Sequence, residues 1–226
     1  MPASGRRSYN DGCAAAHALD LIGERWALLV VRELLLGPKR FTDIRAGVPN
    51  ASPNVLAQRL RDLEASGVVR RRKLPPPAAS RVYELTDWGR DLEPVIISLG
   101  RWGVRSPSKP RDAELGTDSL ILSLRTMFDP EATDGLSASY ELRLGEDFFR
   151  AEVADGRFEI ERGVADEPDA VVETDAGTLA ALVYEGRQLA EALRLGDVMI
   201  EGDRQAVERL LTLFPLPEPA AEAVRT

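Results

Sequence analysis

The stretch from Phe41 to Arg81 constrains this chain most. Within it Ser52-Pro53 marks a helix start: the serine side chain accepts from a first-turn amide, and proline at the first helical position gives up only an amide that lacks a partner. Leu56, Leu60 and Leu63 then recur at i, i+4 and i+7, one apolar stripe that must face a core. At about 100° per residue, Asn54, Gln58 and Arg61 fall on the opposite face. Ahead of this helix, Thr42 reads as the cap of a short helix and Gly47-Val48-Pro49-Asn50 as a turn. Behind it, Ser66-Gly67 closes the helix. Val68 to Lys73 then reads as a strand carrying four consecutive cations, Arg70 to Lys73. Arg81 to Leu85 is its expected partner, and the proline-rich tip Leu74 to Ser80 an exposed, stiff loop. Helix, turn, helix and basic hairpin is the order of a helix-turn-helix with a wing, which sets one helix into the major groove of DNA.

The side chains on the free face of the second helix suit that task. Asn and Gln can pair with adenine and Arg with guanine; an ordinary solvated helix face is the alternative. Among the wing cations, alternation sends neighbours to opposite faces, so about two of the four can reach one stretch of backbone. The candidate DNA contacts are therefore Asn54, Gln58 and Arg61 for bases, and Arg70, Arg72, Lys73 and Arg81 for phosphates. Lys39 and Arg40, just before the first of the two helices, join the phosphate set, and Ser52, the cap of the second, is a further candidate DNA contact. A solvated cationic strand is the competing reading of the wing.

Charge divides the chain. The 226 residues carry a net charge of −8. Residues 1–110 hold 18 Lys+Arg against 11 Asp+Glu, a net of +7, which leaves 11 against 26, or −15, for residues 111–226. A basic half joined to an acidic half points to two domains with different partners. No apolar run approaches the ~20 residues of a membrane span, and the start of the chain has no secretory pattern. The single cysteine, Cys13, has no partner for an internal disulfide, so a reducing, cytoplasmic setting is expected. One cysteine and one histidine also exclude the usual zinc sites, and no metal or cofactor is expected.

The rest of the chain frames the central stretch. Residues 1–12 read as a disordered tail. From Ala14 to Leu36 the pattern is helical: Leu19 and Ile22 share a face, Gly23 divides the run, and Gly37-Pro38 ends it. Thr86 caps a helix expected from Asp87 to about Gly103. Residues 106–114 form a linker. Beyond it, Leu115 to Phe128 reads as an amphipathic helix. Strands follow at Leu136 to Leu144, Phe148 to Val153, Phe158 to Arg162 and Ala170 to Thr174. Thr178 to Tyr184 and Leu189 to Leu195 read as helices, Val198 to Ile200 as a strand and Arg204 to Phe214 as the last helix. Residues 217–226 read as a tail. The class is α+β in two domains, 13–105 and 115–216, the second an antiparallel sheet packed with helices.

Residues 13–103 resemble the HxlR-type winged-helix regulators. The resemblance rests on Cys13 before the first helix, Ala18 to Gly23 with Arg25-Trp26, and Arg32 to Gly37. It continues through Arg40 to Ile44, Ser52 with Leu56, Arg59 to Glu64, Gly67 to Val69, and Tyr83 to Thr86 ahead of Gly89. Ala14 stands where the family usually has proline after the cysteine. Residues 115–216 are similar to the sterol-carrier-type fold, chiefly through Gly196 to Asp203 and the helix that follows. The first resemblance implies a transcriptional regulator, more often a repressor, that binds double-stranded DNA as a homodimer through its first helix and the helix after the wing. It also implies a redox role for Cys13; an inert thiol is the alternative. The second implies an apolar small-molecule effector, with Leu120, Leu124, Met127, Phe128, Leu179, Val183, Leu193, Met199, Leu210 and Phe214 as candidate pocket residues. All ten serve equally well as plain core.

Catalysis finds no support. There is no Gly-rich phosphate loop and no Ser/His/Asp set, and His17, one turn from Cys13, is the only base at hand. Acidic clusters such as Asp166-Glu167 read as solvated turns. Two other classes stay open. One is a carrier of an apolar molecule that uses the N-terminal module to dimerise; the other is an adaptor whose acidic domain contacts a protein.

Overall fold

Contacts divide the chain into two units, Met1–Ile96 and Ile97–Thr226. The computed structural model describes residues 8–76, 79–110 and 115–221. The expected tails and linker therefore fall partly outside the described residues, at 1–7, 111–114 and 222–226.

The first unit runs α1 (Ala14–Ile22), α2 (Ala27–Leu35), α3 (Phe41–Gly47), α4 (Pro53–Ala65), β1 (Val69–Lys73), β2 (Arg81–Leu85) and α5 (Asp87–Arg90). A further helix, α6 (Glu93–Val104), begins in this unit and ends in the second. The core joins Val30, Val31 and Leu34 of α2 to Ile44 of α3, Leu56, Leu60 and Leu63 of α4, and Val69 and Leu85 of the hairpin. Apolar residues at helical spacing thus meet from three helices, with strand residues alternating into the same core. The two strands pair antiparallel with Arg70 opposite Glu84 and Lys73 opposite Arg81. Lys39 adds a short third edge: its amide donates to the Tyr83 carbonyl at 3.0 Å, and the Tyr83 amide donates back at 2.8 Å.

Two local expectations need correction. The residue capping α3 is Arg40, not Thr42, whose hydroxyl instead donates to Asp43. The run from Asp87 is not one helix. It ends at Arg90 and restarts at Glu93, with Pro94 in the new first turn, where its missing amide costs nothing. Of the face shared by Leu19 and Ile22, Leu19 is exposed and Ile22 packs against the core, and α1 has no buried residue. Between α1 and α2, Trp26 takes a left-handed backbone at φ 77°, a strained turn for a bulky residue. Its ring packs against the core, and the Arg25 guanidinium lies over it.

The second unit opens with α7 (Thr117–Met127) and a single 3-10 turn, Pro130–Thr133. Strands β3 (Ala138–Leu144), β4 (Asp147–Ala154), β5 (Arg157–Arg162) and β6 (Ala170–Thr174) follow, then α8 (Ala176–Tyr184), α9 (Leu189–Leu195), β7 (Met199–Gly202) and α10 (Arg204–Leu210). The sheet order is β5-β4-β3-β6-β7. It is not wholly antiparallel, because β3 and β6 run parallel. Two hairpins use up the β3–β4 and β4–β5 pairings. The chain must then cross back to the free side of β3, and a crossover delivers a parallel strand. Residues 163–169 make that crossing, and the Ala165 amide donates to Glu141 at 2.9 Å, which buries Glu141 on the side of the sheet away from the helices.

On the helical side, Tyr140 donates to the Ala206 carbonyl of α10 at 3.1 Å. Phe128, Phe158 and Phe214 form one aromatic cluster with centroids 5.1 to 6.3 Å apart. Arg162, at the end of β5, is anchored by Asp118 of α7 and by Asp147. Asp175 caps α8 through the Thr178 amide and hydroxyl, at 2.9 and 2.7 Å. Those bonds hold its carboxyl below the usual aspartate range.

Candidate nucleic-acid interface

The local chemistry of α4 divides its faces. Ser52 accepts from the Val55 amide and Pro53 opens the helix, as the sequence requires. Leu56, Leu60 and Leu63 are buried, and Asn54, Gln58 and Arg61 are exposed on the other side. The last two do not stand free of each other. Arg61 donates to the Gln58 side-chain oxygen Oε1 at 2.6 Å, and Gln58 Nε2 donates to the Asp62 carboxylate at 2.8 Å. Asp62 also holds Arg59 at 2.9 Å. This relay orders the face before any ligand arrives, and a base contact would exchange one hydrogen bond for another rather than order a loose side chain.

Preceding α3, Lys39 sits differently from a surface cation. Its ammonium lies 2.6 Å from Glu33, a carboxylate only 1% exposed as a residue. Arg32 meets the other oxygen of Glu33 at 2.8 Å and also donates to the Gly47 carbonyl at 3.0 Å. A β-carbon on Gly47 would come within 1.9 Å of Glu33, so this residue must be glycine for the carboxylate to tie α2 to the end of α3. Lys39 is therefore committed to the scaffold beneath α3. Arg40, the next residue, is exposed and has no ion-pair partner among the described residues.

The wing separates its cations by register. Arg71 turns to the core side, where it meets Glu64 at 3.0 Å and lies over the Tyr83 ring. Arg70 and Arg72 share the other face with Glu84. Their Nε atoms lie 2.7 and 2.9 Å from its two oxygens. Lys73 and Arg81 stand opposite each other at the far end, exposed and without an ion pair among the described residues. Sequence reasoning placed the cations on alternating faces. It missed Glu84, because only the register brings Glu84 opposite Arg70.

Cys13 is exposed and precedes α1. The first-turn amides of Ala16 and then Ala15 lower its thiol pKa, against a smaller opposing effect of burial, although no full capping hydrogen bond forms. In the second unit, Leu120, Leu124, Leu179, Leu210 and Phe214 are buried core, and Val183 and Leu193 are half-buried. Met199 is exposed on the edge strand β7. Met127 and Phe128 also line an open groove of about 630 Å³ with Trp102, Pro130 and Leu216, flanked by Arg101 and Arg105.

Comparison with known proteins divides the chain in the same way. Residues 21–109 match the family model described as HxlR-like helix-turn-helix. Residues 113–225 match the model described as alkyl sulfatase C-terminal, where the sequence reading named a sterol-carrier-type domain. The uncharacterized HTH-type transcriptional regulator YvaP of Bacillus subtilis is 41% identical over 85 residues, covering 38% of this chain and 79% of its own. The HTH-type transcriptional regulator YodB of the same organism is 38% identical over 85 residues, covering 38% and 76%. Among solved structures, the reduced form of YodB is 33% identical with a TM-score of 0.39, over 43% of this chain and 97% of that one. A double mutant of the sec-alkyl sulfatase PisA1 is 17% identical with a TM-score of 0.41, over 44% and 16%. No described helix is long and apolar enough to cross a membrane.

Proposed function

Because the chain belongs to the HxlR-like helix-turn-helix family through residues 21–109 and ends in an alkyl sulfatase C-terminal domain over residues 113–225, we propose that it is a cytoplasmic, non-enzymatic transcriptional repressor that reads double-stranded DNA as a homodimer. The observation that carries this reading is α4, with its leucines buried and Asn54, Gln58 and Arg61 on the opposite, exposed face. In this reading α4 enters the major groove, while Lys73, Arg81 and Arg40 contact phosphate. Lys39 acts indirectly, by fixing α3.

The homodimer reading is supported by two uncovered apolar surfaces. α1 buries nothing and exposes Leu19. α6 also buries nothing and exposes Val95, Leu99 and Trp102 at i, i+4 and i+7, a helical stripe. A two-fold dimer would set its α4 helices on half-sites ~34–36 Å apart.

The second domain takes the effector role, and a sterol-carrier-like shelter for an apolar molecule is its architecture in this reading. The groove beside Met127 and Phe128, rather than the packed core, is where such a molecule would lie. Oxidation at Cys13 is a second input, acting on the setting of α1 at the dimer contact.

Selection of genomic DNA fragments on the purified protein, with and without a cell metabolite extract, tests the proposal. A palindromic site, enriched without the extract and weakened by it, is the expected result. Enrichment of no site would overturn the DNA reading and leave the carrier reading in its place.

A further inference from the structure

The wing carries one residue whose placement the DNA reading does not explain. Glu84 stands on the same hairpin face as Arg70 and Arg72, yet it is only 5% exposed. Its two oxygens are divided between the two arginines, at 2.7 Å from Arg70 Nε and 2.9 Å from Arg72 Nε. The arginine side chains remain 60% and 49% exposed. A buried carboxylate is costly to leave unpaired, so both guanidiniums are held on one side of the wing. They are held by the group that a phosphate would have to replace.

Resting on the proposed DNA-binding role, we propose that Glu84 is a specificity-determining residue of the wing: it occupies Arg70 and Arg72 so that generic phosphate backbone reaches them only by displacing its carboxylate. Lys73 and Arg81 have no such competitor among the described residues. A non-cognate duplex then engages the wing through that outer pair. Arg70 and Arg72 add their share only when a well-fitted site presses phosphate against the hairpin face. Glu84 touches no base in this scheme and acts entirely through the arginines. A merely structural Glu84 would instead stabilise the hairpin and leave the count of phosphate contacts unchanged.

Salt dependence reads that count directly. Each phosphate contact contributes about 0.9 to the slope of log K against log salt on duplex DNA. The probe is a short random-sequence duplex, with binding followed by fluorescence anisotropy across a salt series. Lys73→Gln should flatten the slope by about 0.9, whereas Arg72→Gln should flatten it by clearly less, because Arg72 is already neutralised by Glu84. Glu84→Gln keeps the side chain's shape and removes its charge. It should steepen the slope by up to about 1.8, or about 0.9 for each freed arginine, and tighten non-cognate binding. Adding Arg70→Gln and Arg72→Gln to that variant should abolish the gain.

Thermal unfolding of Glu84→Gln shows whether the hairpin has survived. If it has not, the comparison of Arg72→Gln with Lys73→Gln decides alone, since neither removes the buried carboxylate. Equal losses from those two variants, or an unchanged slope in a folded Glu84→Gln protein, would overturn the role of Glu84 and leave the DNA reading intact. Absence of salt-dependent binding by the wild-type protein would overturn both.

Discussion

In the first unit the buried charges are carboxylates held by more exposed cations: Glu33 by Arg32 and Lys39, Glu84 by Arg70 and Arg72. In the second unit Asp118 and Glu141 are buried as well, and Arg162 and Arg143 hold them. The first half is rich in cations, and each buried acid pairs with two of them. The second half is rich in acids, and its surplus lies exposed at Glu152, Glu159, Glu161, Glu173 and Glu201 along the sheet. Net charge by segment therefore overstates the cations free to meet DNA. The cations left after the buried pairs are subtracted, chiefly Lys73, Arg81 and Arg40, are the ones that matter electrostatically.

The largest expected effect tests whether the two kinds of buried acid differ in energy. Glu33→Ala removes the buried carboxylate shared by Arg32 and Lys39, whose side chains are only 21% and 14% exposed, and should cost about 3–5 kcal/mol of first-unit stability. Glu141→Ala leaves Arg143, 33% exposed, with Glu173 at 3.9 Å, strands one amide, and should cost about 1–3 kcal/mol. Urea unfolding of the two variants settles the order, and equal costs would erase the contrast. Next comes the reading face. Gln58→Ala should weaken binding to the selected site by about 1–3 kcal/mol and relax discrimination at one base position. It should leave the salt slope alone, in contrast to Lys73→Gln. An unchanged site preference would remove Gln58 from the readers.

A smaller effect is confined to the second unit. Asp175→Ala removes the cap of α8 and should cost about 1 kcal/mol near neutral pH. The folded carboxyl of Asp175 binds its proton less readily than an unfolded one. Its contribution is therefore complete above the ordinary aspartate pKa near 4 and is lost as pH falls through the lower folded value. The difference between wild type and Asp175→Ala, followed by circular dichroism, should shrink on acidification; a constant gap would contradict the assignment. The smallest effect touches no stability at all. The Cys13 thiol should react with iodoacetamide with a midpoint pH below that of a free cysteine. A midpoint at or above the free value would remove the chemical basis for oxidation at this site.

Much of the first unit was legible from local signals. Ser52 and Pro53 set where α4 begins, and a period of 3.6 residues set which leucines turn inward, because both act within one or two turns of chain. Thr42 misled because a residue of capping type stood two places beyond the actual cap, and Asp87 to Gly103 misled because Pro94 is welcome in a first turn. The candidate contacts were half legible. Alternation along β1 put Arg70 and Arg72 together, but nothing local could say that Glu84 lies across from Arg70, or that Lys39 reaches a buried Glu33.

The sequence by itself determined the family, the order of helices and strands, the division into a basic and an acidic half, and the two faces of α4. All of these follow from spacing, capping and composition along the chain. Tertiary structure decided which cations are free, that β6 returns parallel beside β3, and that ten apolar residues of the second half are for the most part packed core. Those outcomes depend on strand register, crossover path and burial, which join residues far apart in sequence and leave no periodic trace in it.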